Sequence, residues 1–463
     1  MRAAARRSLL AARRSYCSSR TIAVDRSGLL PAADSGHVHP DAPPDSLLAE
    51  LATRIRFRGP LTVADFMGAA LTHPKHGYYM RRDVFGREGD FTTSPEVSQV
   101  FGELLGVWLV ACWEQSGRPP RVNLVEAGPG RGTLVADVLR ATSVFRGFHD
   151  ALSVHLLEVS PFLRAAQRER LGGAAADDAA DGAPPVQWRP AAGGAAVDVH
   201  WHRELRDVPE DAPTLLLAHE FLDALPVHQL RRTAHGWRER LVDLRRAPTD
   251  GEDAGGAAAG GAATSDAAAD GGARNLDDDP RDLDFVLAAG PTPASHLLGP
   301  RLPVHADGAE VSPAAVGFVQ LAAQRLARSG GAALVIDYGA DAPPADSLRG
   351  ILRHQFVHPL HAPGEVDLST DVDFGALRAV AAADAPTLRC PPLATQRDFL
   401  GAMGIEPRVR ALLERPDTTD EARHALAAGA MRLTDADGMG GAYKAFALAS
   451  ADVGAVPGFA PDE

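Results

Sequence analysis

Three short clusters in this sequence combine residue types that ordinary packing does not ask for. The first is Leu124-Val125-Glu126-Ala127-Gly128-Pro129-Gly130-Arg131-Gly132-Thr133. Gly128, Gly130 and Gly132 let the backbone turn tightly and come close to a ligand. Glu126 adds a carboxylate just ahead of the bend, and a helix starting after it offers free N–H groups. The second is Glu158, an acid closing the run Val154-His155-Leu156-Leu157 and placed to accept both hydroxyls of a ribose. The third is His219-Glu220-Phe221-Leu222-Asp223, directly after the apolar run 214–218. Acids at the end of a buried strand are costly unless they hold something. Glu220 and Asp223, three apart, would share one side of a helical turn. There they could orient a cation and take its proton. A further stretch, Thr93-Ser94-Pro95-Glu96, puts small hydroxyls at a helix start, where they could form a lid over an anionic end of a ligand.

Elements must position these groups. Five apolar runs read as strands: 122–125, 154–157, 214–218, 332–336 and 445–449. Helical spacing lies between them, for example Leu134, Val135, Val138 and Leu139. Such alternation predicts a mostly parallel sheet covered on both faces. The three clusters then sit at the carboxyl ends of strands, where an open α/β sheet binds its ligands. Ahead of the sheet, 47–120 reads as an N-terminal helical region. Leu47, Leu48, Leu51 and Ile55 recur at helical spacing, and Val100, Phe101, Leu104, Leu105, Trp108 and Leu109 mark a buried helix. His73 and His76 read as loop histidines, and no metal is expected.

Composition narrows the function classes. Of 463 residues, Lys+Arg number 47 and Asp+Glu 60, a net charge of −13 that disfavours a general nucleic-acid binder. Lys75 and Lys444 are the only lysines, so the wealth of arginine reflects compositional bias. The longest apolar run, 104–113, falls short of the ~20 residues of a bilayer span, so no membrane insertion is expected. Cys17, Cys112 and Cys390 are too dispersed for a disulfide framework or zinc knuckle. Residues 1–24 are rich in Arg and Ser and acid-free, the pattern of a mitochondrial transit peptide. Residues 25–46 read as linker, 121–450 as the core and 451–463 as a tail. The Ala/Gly/Asp-rich stretches 171–198 and 248–280 read as surface insertions, the second at a hairpin away from the pocket.

The glycine spacing discriminates among ligands. A dinucleotide fingerprint is GxGxxG, and a P-loop ends in Lys and Ser/Thr. Here the glycines run GxGxG, with Glu126 two residues ahead and no such lysine. E-x-G-x-G-x-G after a first strand resembles motif I of S-adenosylmethionine-dependent methyltransferases. More widely, GDFTTSPEVSQVFGELLGVWL (89–109), LVEAGPGRGTLVADVLR (124–140), HEFLDALPVHQL (219–230), GAALVIDYG (331–339), RGILRHQFVHPLHAPGEVDLSTDVDF (349–374) and TQRDFLGAMGI (395–405) resemble the MidA-like family. The likeness spans roughly 47–449 outside the two insertions.

The resemblance implies a class I (seven-strand, Rossmann-like) methyltransferase with an N-terminal helical extension and surface insertions. It implies S-adenosyl-L-methionine as cofactor, with family contacts carried over onto Gly128, Gly130 and Glu158. It also implies a place in the mitochondrial matrix. The implied reaction is symmetric dimethylation of an arginine on the 49-kDa core subunit of respiratory complex I, needed for assembly of that complex. His219 stands where the family usually has Asn, and 248–280 is unlike the family. Two other readings stay open at this level: a non-enzymatic complex I assembly chaperone that keeps the cofactor fold, and an NAD oxidoreductase, which the GxGxG spacing disfavours.

Overall fold

The apolar runs form strands where the pattern predicts them: β1 (Val122–Ala127), β2 (Leu152–Leu157), β5 (Thr214–His219), β6 (Gly331–Ala340) and β7 (Tyr443–Ala449). The computed structural model describes residues 42–81, 93–173, 184–191, 193–245, 276, 281–303 and 305–460. The expected leader, residues 25–41 of the linker, residues 82–92, residues 174–183 and most of 246–280 lie outside that set.

β1 is buried along its whole length, with Val122 and Leu124 in one apolar core and Val125 and Ala127 in another. A strand buried on both faces belongs in the middle of a parallel sheet, and β1 pairs in parallel with β2 and β5. β6 follows β5 in parallel, and β7 returns antiparallel beside β6. On the other side β4 (Val197–His202) pairs in parallel with β2, and β3 (Val186–Trp188) pairs antiparallel with β4. Ala394–Thr395 closes the far edge against β7. From β4 to this edge the seven strands follow the order expected for a class I methyltransferase.

Helices cover both faces. α3 (Gln99–Gln115) and α4 (Thr133–Thr142) pack on one, and α6 (Pro313–Ser329) and α7 (Phe374–Asp384) on the other. α3 starts where Ser98 Oγ accepts the Val100 amide, and it buries Phe101, Leu104, Leu105, Trp108 and Leu109. A fifth helix of the core, α5 (Pro161–Arg170), follows β2.

Two expectations are corrected. The stretch 171–198 is not wholly an insertion: Val186 sits opposite Val199, and Leu171, Val186 and Val197 are buried in the main core. A three-residue strand between Ala/Gly/Pro runs gives too little alternation to stand out. Residues 47–120 also do not form one helical unit. α1 (Leu47–Arg58) and α2 (Val63–Thr72) pack with Val242, Leu244 and Leu283 in a separate core, whereas α3 belongs to the main one.

That separate core contains a second, antiparallel sheet inserted between β5 and α6, which the sequence pattern did not reveal. Its strands are His228–Thr233, Gly236–Leu244, Leu283–Leu287 and Gly308–Val311, joined by Leu61–Thr62. Leu244 pairs with Leu283, so the described ends of the connection that contains 248–280 lie side by side. Among the described residues no helix is long and apolar enough to cross a membrane.

Candidate active site

The glycine loop leaves β1 in left-handed backbone. Gly128, Gly130 and Gly132 have φ of 63°, 51° and 76°, a region that costs a side chain about 1–2 kcal/mol. Space is short as well, because a Cβ on Gly128 would lie 2.7 Å from Phe221 Cδ2. Gly132 caps α4. Glu126 is buried just ahead, and its Oε2 has no hydrogen-bond partner. Burial pushes its carboxyl up to about 8, opposed by a hydrogen bond from the Val135 amide.

Glu158 stands at the tip of the neighbouring strand. Its Oε1 accepts the Ser160 amide at 2.8 Å, and its Oε2 accepts Gln167 Nε2 at 3.1 Å. Burial pushes it up to about 7, opposed by these two donors. Gln167 escaped sequence reasoning, although it lies one helical turn after the buried Leu163 on α5. A polar residue on the apolar stripe of a helix is the signal that could have found it.

Glu220 and Asp223 do come together, but not on a helical turn. Glu220 has φ of 48°, a conformation rare for a residue with a Cβ and concentrated at functional sites. Asp337, three residues before the end of β6, holds the bend. Its Oδ2 accepts the amides of Phe221, Leu222 and Asp223 at 3.2, 2.9 and 3.2 Å, and its Oδ1 accepts the Tyr338 amide at 2.9 Å. Asp337 was also missed, hidden inside the apolar run 332–338.

The surroundings of this acidic bend are largely closed. Ser94 N donates to Glu220 Oε1 at 3.3 Å, while the Ser94 hydroxyl is buried without a partner. Thr93 precedes it as the cap of Ser94–Val97, and Glu96 reaches Arg131 of the glycine loop at 3.5 Å. Tyr443 of β7 interacts electrostatically with Glu220, and its hydroxyl donates to that of Tyr338 at 2.5 Å. His219 is buried between Phe101 and Tyr443 and held down to about 3 by that burial. Its Nε2 lies 3.3 Å from Glu220 Oε1 without hydrogen-bond geometry.

The electrostatics of the bend are unbalanced. Burial, then the charge of Asp223, push Glu220 up to about 8. Burial raises Asp223 to about 6, opposed by the charge of Arg349. Burial and both neighbouring acids raise Asp337 well above the carboxylate range. Arg349 is itself committed to Asp371 at 2.7 Å and to Ser369 at 3.1 Å, over the Tyr338 ring. Carboxyls displaced upward in this way gain most from a cation that enters among them.

Elsewhere, Glu50, His73 and His76 bring ligand atoms within 4.8 Å of one another. His73 Nδ1, however, accepts the backbone amides of Lys75 and His76. That keeps the proton on Nε2, facing Glu50, and suits a turn histidine rather than a metal ligand.

The loop fits a nucleoside bearing an amino acid. Left-handed glycines let the loop turn back tightly beside Phe221, and the free Glu126 oxygen can take an ammonium. Glu158 can meet a ribose. Comparisons with known proteins agree. A family model for S-adenosyl-L-methionine-dependent methyltransferases matches residues 104–390. The mouse mitochondrial protein arginine methyltransferase NDUFAF7 is 39% identical over 418 residues, 90% of this chain and 86% of that protein. The human counterpart is 37% identical over 89% of this chain and 86% of its own length, and the Drosophila melanogaster homologue 38% over 90% and 86%. A structure from Burkholderia thailandensis, bound to S-adenosyl-homocysteine, aligns with a TM-score of 0.66 at 25% identity, covering 91% of this chain and 97% of that one. The chain therefore belongs to the MidA-like family of methyltransferases, and its cofactor is S-adenosyl-L-methionine.

Proposed function

We propose that this chain is a mitochondrial protein arginine methyltransferase whose acceptor guanidinium enters at Glu220 and Asp223. The observation that carries the proposal is the buried acidic bend, short of counter-charge and touching the cofactor loop through Phe221 and Gly128. Glu126, the three loop glycines and Glu158 hold the cofactor, which supplies a methyl group on a sulfonium. Guanidinium stays protonated, with a pKa above about 12. Glu220 and Asp223 align it by paired hydrogen bonds, and one of them receives the proton that the nitrogen sheds as it is methylated. Asp337 keeps both acids in place by fixing the three amides between them.

The proposal extends to symmetric dimethylation of an arginine on the 49-kDa core subunit of complex I, in the matrix. Its supports are the six sequence blocks shared with the MidA-like family, the arginine-rich start, and relatives named as mitochondrial arginine methyltransferases. The test is mass spectrometry of complex I subunits from cells lacking the protein, rescued with the unaltered chain or with Glu220→Gln. The expected result is a dimethylarginine that disappears in the knockout and returns only with the unaltered chain. Full complex I assembly supported by Glu220→Gln would instead assign a scaffolding role.

A further inference from the structure

Gln167 joins three parts of the cofactor region that lie far apart in sequence. Its Nε2 donates to Gly130 O at 2.6 Å and to Glu158 Oε2 at 3.1 Å, and its Oε1 accepts Trp201 Nε1 at 2.8 Å. Both amide hydrogens and the carbonyl are thereby engaged. The side chain is fully buried, and a Cβ on Gly132 would lie 3.4 Å from its Cγ.

The helix bearing Gln167 is itself anchored. Ser160 Oγ accepts the Leu163 amide at 3.2 Å and donates to Tyr79 O at 2.7 Å, while Arg164 Nε donates to Glu158 O at 2.8 Å. The amide group therefore has one place to sit. The Gly130–Arg131 peptide is planar and trans, so fixing its carbonyl on Gln167 aims the Arg131 N–H to the opposite side.

We propose that Gln167 is the positioning residue of the cofactor site, setting the spacing between the glycine loop and Glu158 and the direction of the loop's central N–H. The inference rests on S-adenosyl-L-methionine occupying this loop. The free amide hydrogens of an exposed glutamine would serve neither partner. Here one side chain ties a flexible glycine loop to the acid that faces the same nucleoside.

Calorimetry with S-adenosylhomocysteine on the full chain tests it, using Gln167→Leu, Gln167→Glu, Glu158→Gln and the Gln167→Leu/Glu158→Gln double variant. Gln167→Leu should weaken binding about 10- to 100-fold, because two acceptors lose their buried donor. In the double variant the losses should fail to multiply, since both residues act through one network. Gln167→Glu keeps the size and sets a second carboxyl against Glu158, which already faces Arg164 and the Val159 and Ser160 amides. Its loss of affinity should widen from pH 6 to 8.5, a trend that a purely structural defect would not produce. If Gln167→Leu does not fold, this near-isosteric variant decides the matter. Variants binding within threefold of the unaltered chain, or losses that multiply, overturn the inference alone. Absence of binding by the unaltered chain would overturn the cofactor assignment with it.

Discussion

Glu220 concentrates cost in one residue: a left-handed backbone, a buried carboxyl and two acidic neighbours. Strain of this kind amounts to about 1–3 kcal/mol and persists where surrounding contacts over-determine it. Glu220→Gln keeps the acceptor for Ser94 N but removes the charge. Methyl transfer should fall by about 100- to 10,000-fold, with S-adenosylhomocysteine affinity within twofold by calorimetry. Burial pushes Asp223 up to about 6 and, with the charge of Asp223, pushes Glu220 up to about 8. Both must be ionised to hold a cation, so kcat/KM should rise with pH across that window. In Glu220→Gln the upper part of the rise should vanish, and an unchanged profile would count against the role of Glu220. At the loop, Gly128→Val places a branched side chain at φ of 63° and against Phe221. Calorimetry should show at least a tenfold loss of S-adenosylhomocysteine affinity. The acids and glycines could be read from sequence because their spacing is local. Asp337 and Gln167 could not, because a polar residue in an apolar run reveals its partners only after folding.

At the level of elements, α6 is tied to the start of β5 by one arginine. Arg325 is buried, and it donates to Thr214 Oγ1 at 2.8 Å, to Val208 O at 2.9 Å and to Pro209 O. Arg325→Met keeps the stem and orphans these acceptors. Urea unfolding should show a loss of about 2–4 kcal/mol with an unchanged m-value. Replacing residues 247–280 with Asn-Gly should leave cofactor affinity unchanged, since Leu244 already pairs with Leu283. Cutting the connection between Leu244 and Leu283 from about 38 residues to about six changes the loop-closure cost by only about 1.6 kcal/mol. A large loss of affinity would place that stretch at the cofactor site. The parallel strands were legible because burial on both faces writes a continuous apolar run. The antiparallel sheet was not. His228–Thr233 and Gly236–Leu244 spread Arg231, Arg232, Arg238 and Arg240 among few apolar residues, and Arg231 and Arg240 share Asp346. In an arginine-rich chain those charges look like solvated surface.

For the whole molecule, buried titrating groups set how stability changes with pH. Glu126 and Glu220 lie near about 8, Glu158 near about 7 and Asp223 near about 6 when folded. Unfolded, all four release their protons near pH 4. The folded chain thus binds more protons across that interval, and stability falls as pH rises through it. His155, whose Nδ1 lies 3.0 Å from His202 Nε2, and His219 are held near about 3, below their unfolded value of about 6.5. Their contribution is lost as pH falls. Between pH 5 and 6.5 the four acids outweigh the two histidines, so urea midpoints of the ligand-free chain should decline as pH rises from about 5 to 9. A midpoint that climbs steadily above pH 7 would contradict this. The acidic bend also has a temporal side. Glu220 is completed by Tyr443, which arrives on β7, the final strand, laid antiparallel beside β6. Trp108 of α3 further donates to Pro457 O at 3.0 Å, sewing the carboxyl end to the first core helix. A ribosome delivers Glu220 long before either contact can form, so a polypeptide clipped ahead of Tyr443 lacks that neighbour of the acidic bend. The bend is therefore assembled only once the chain has been made as far as Tyr443.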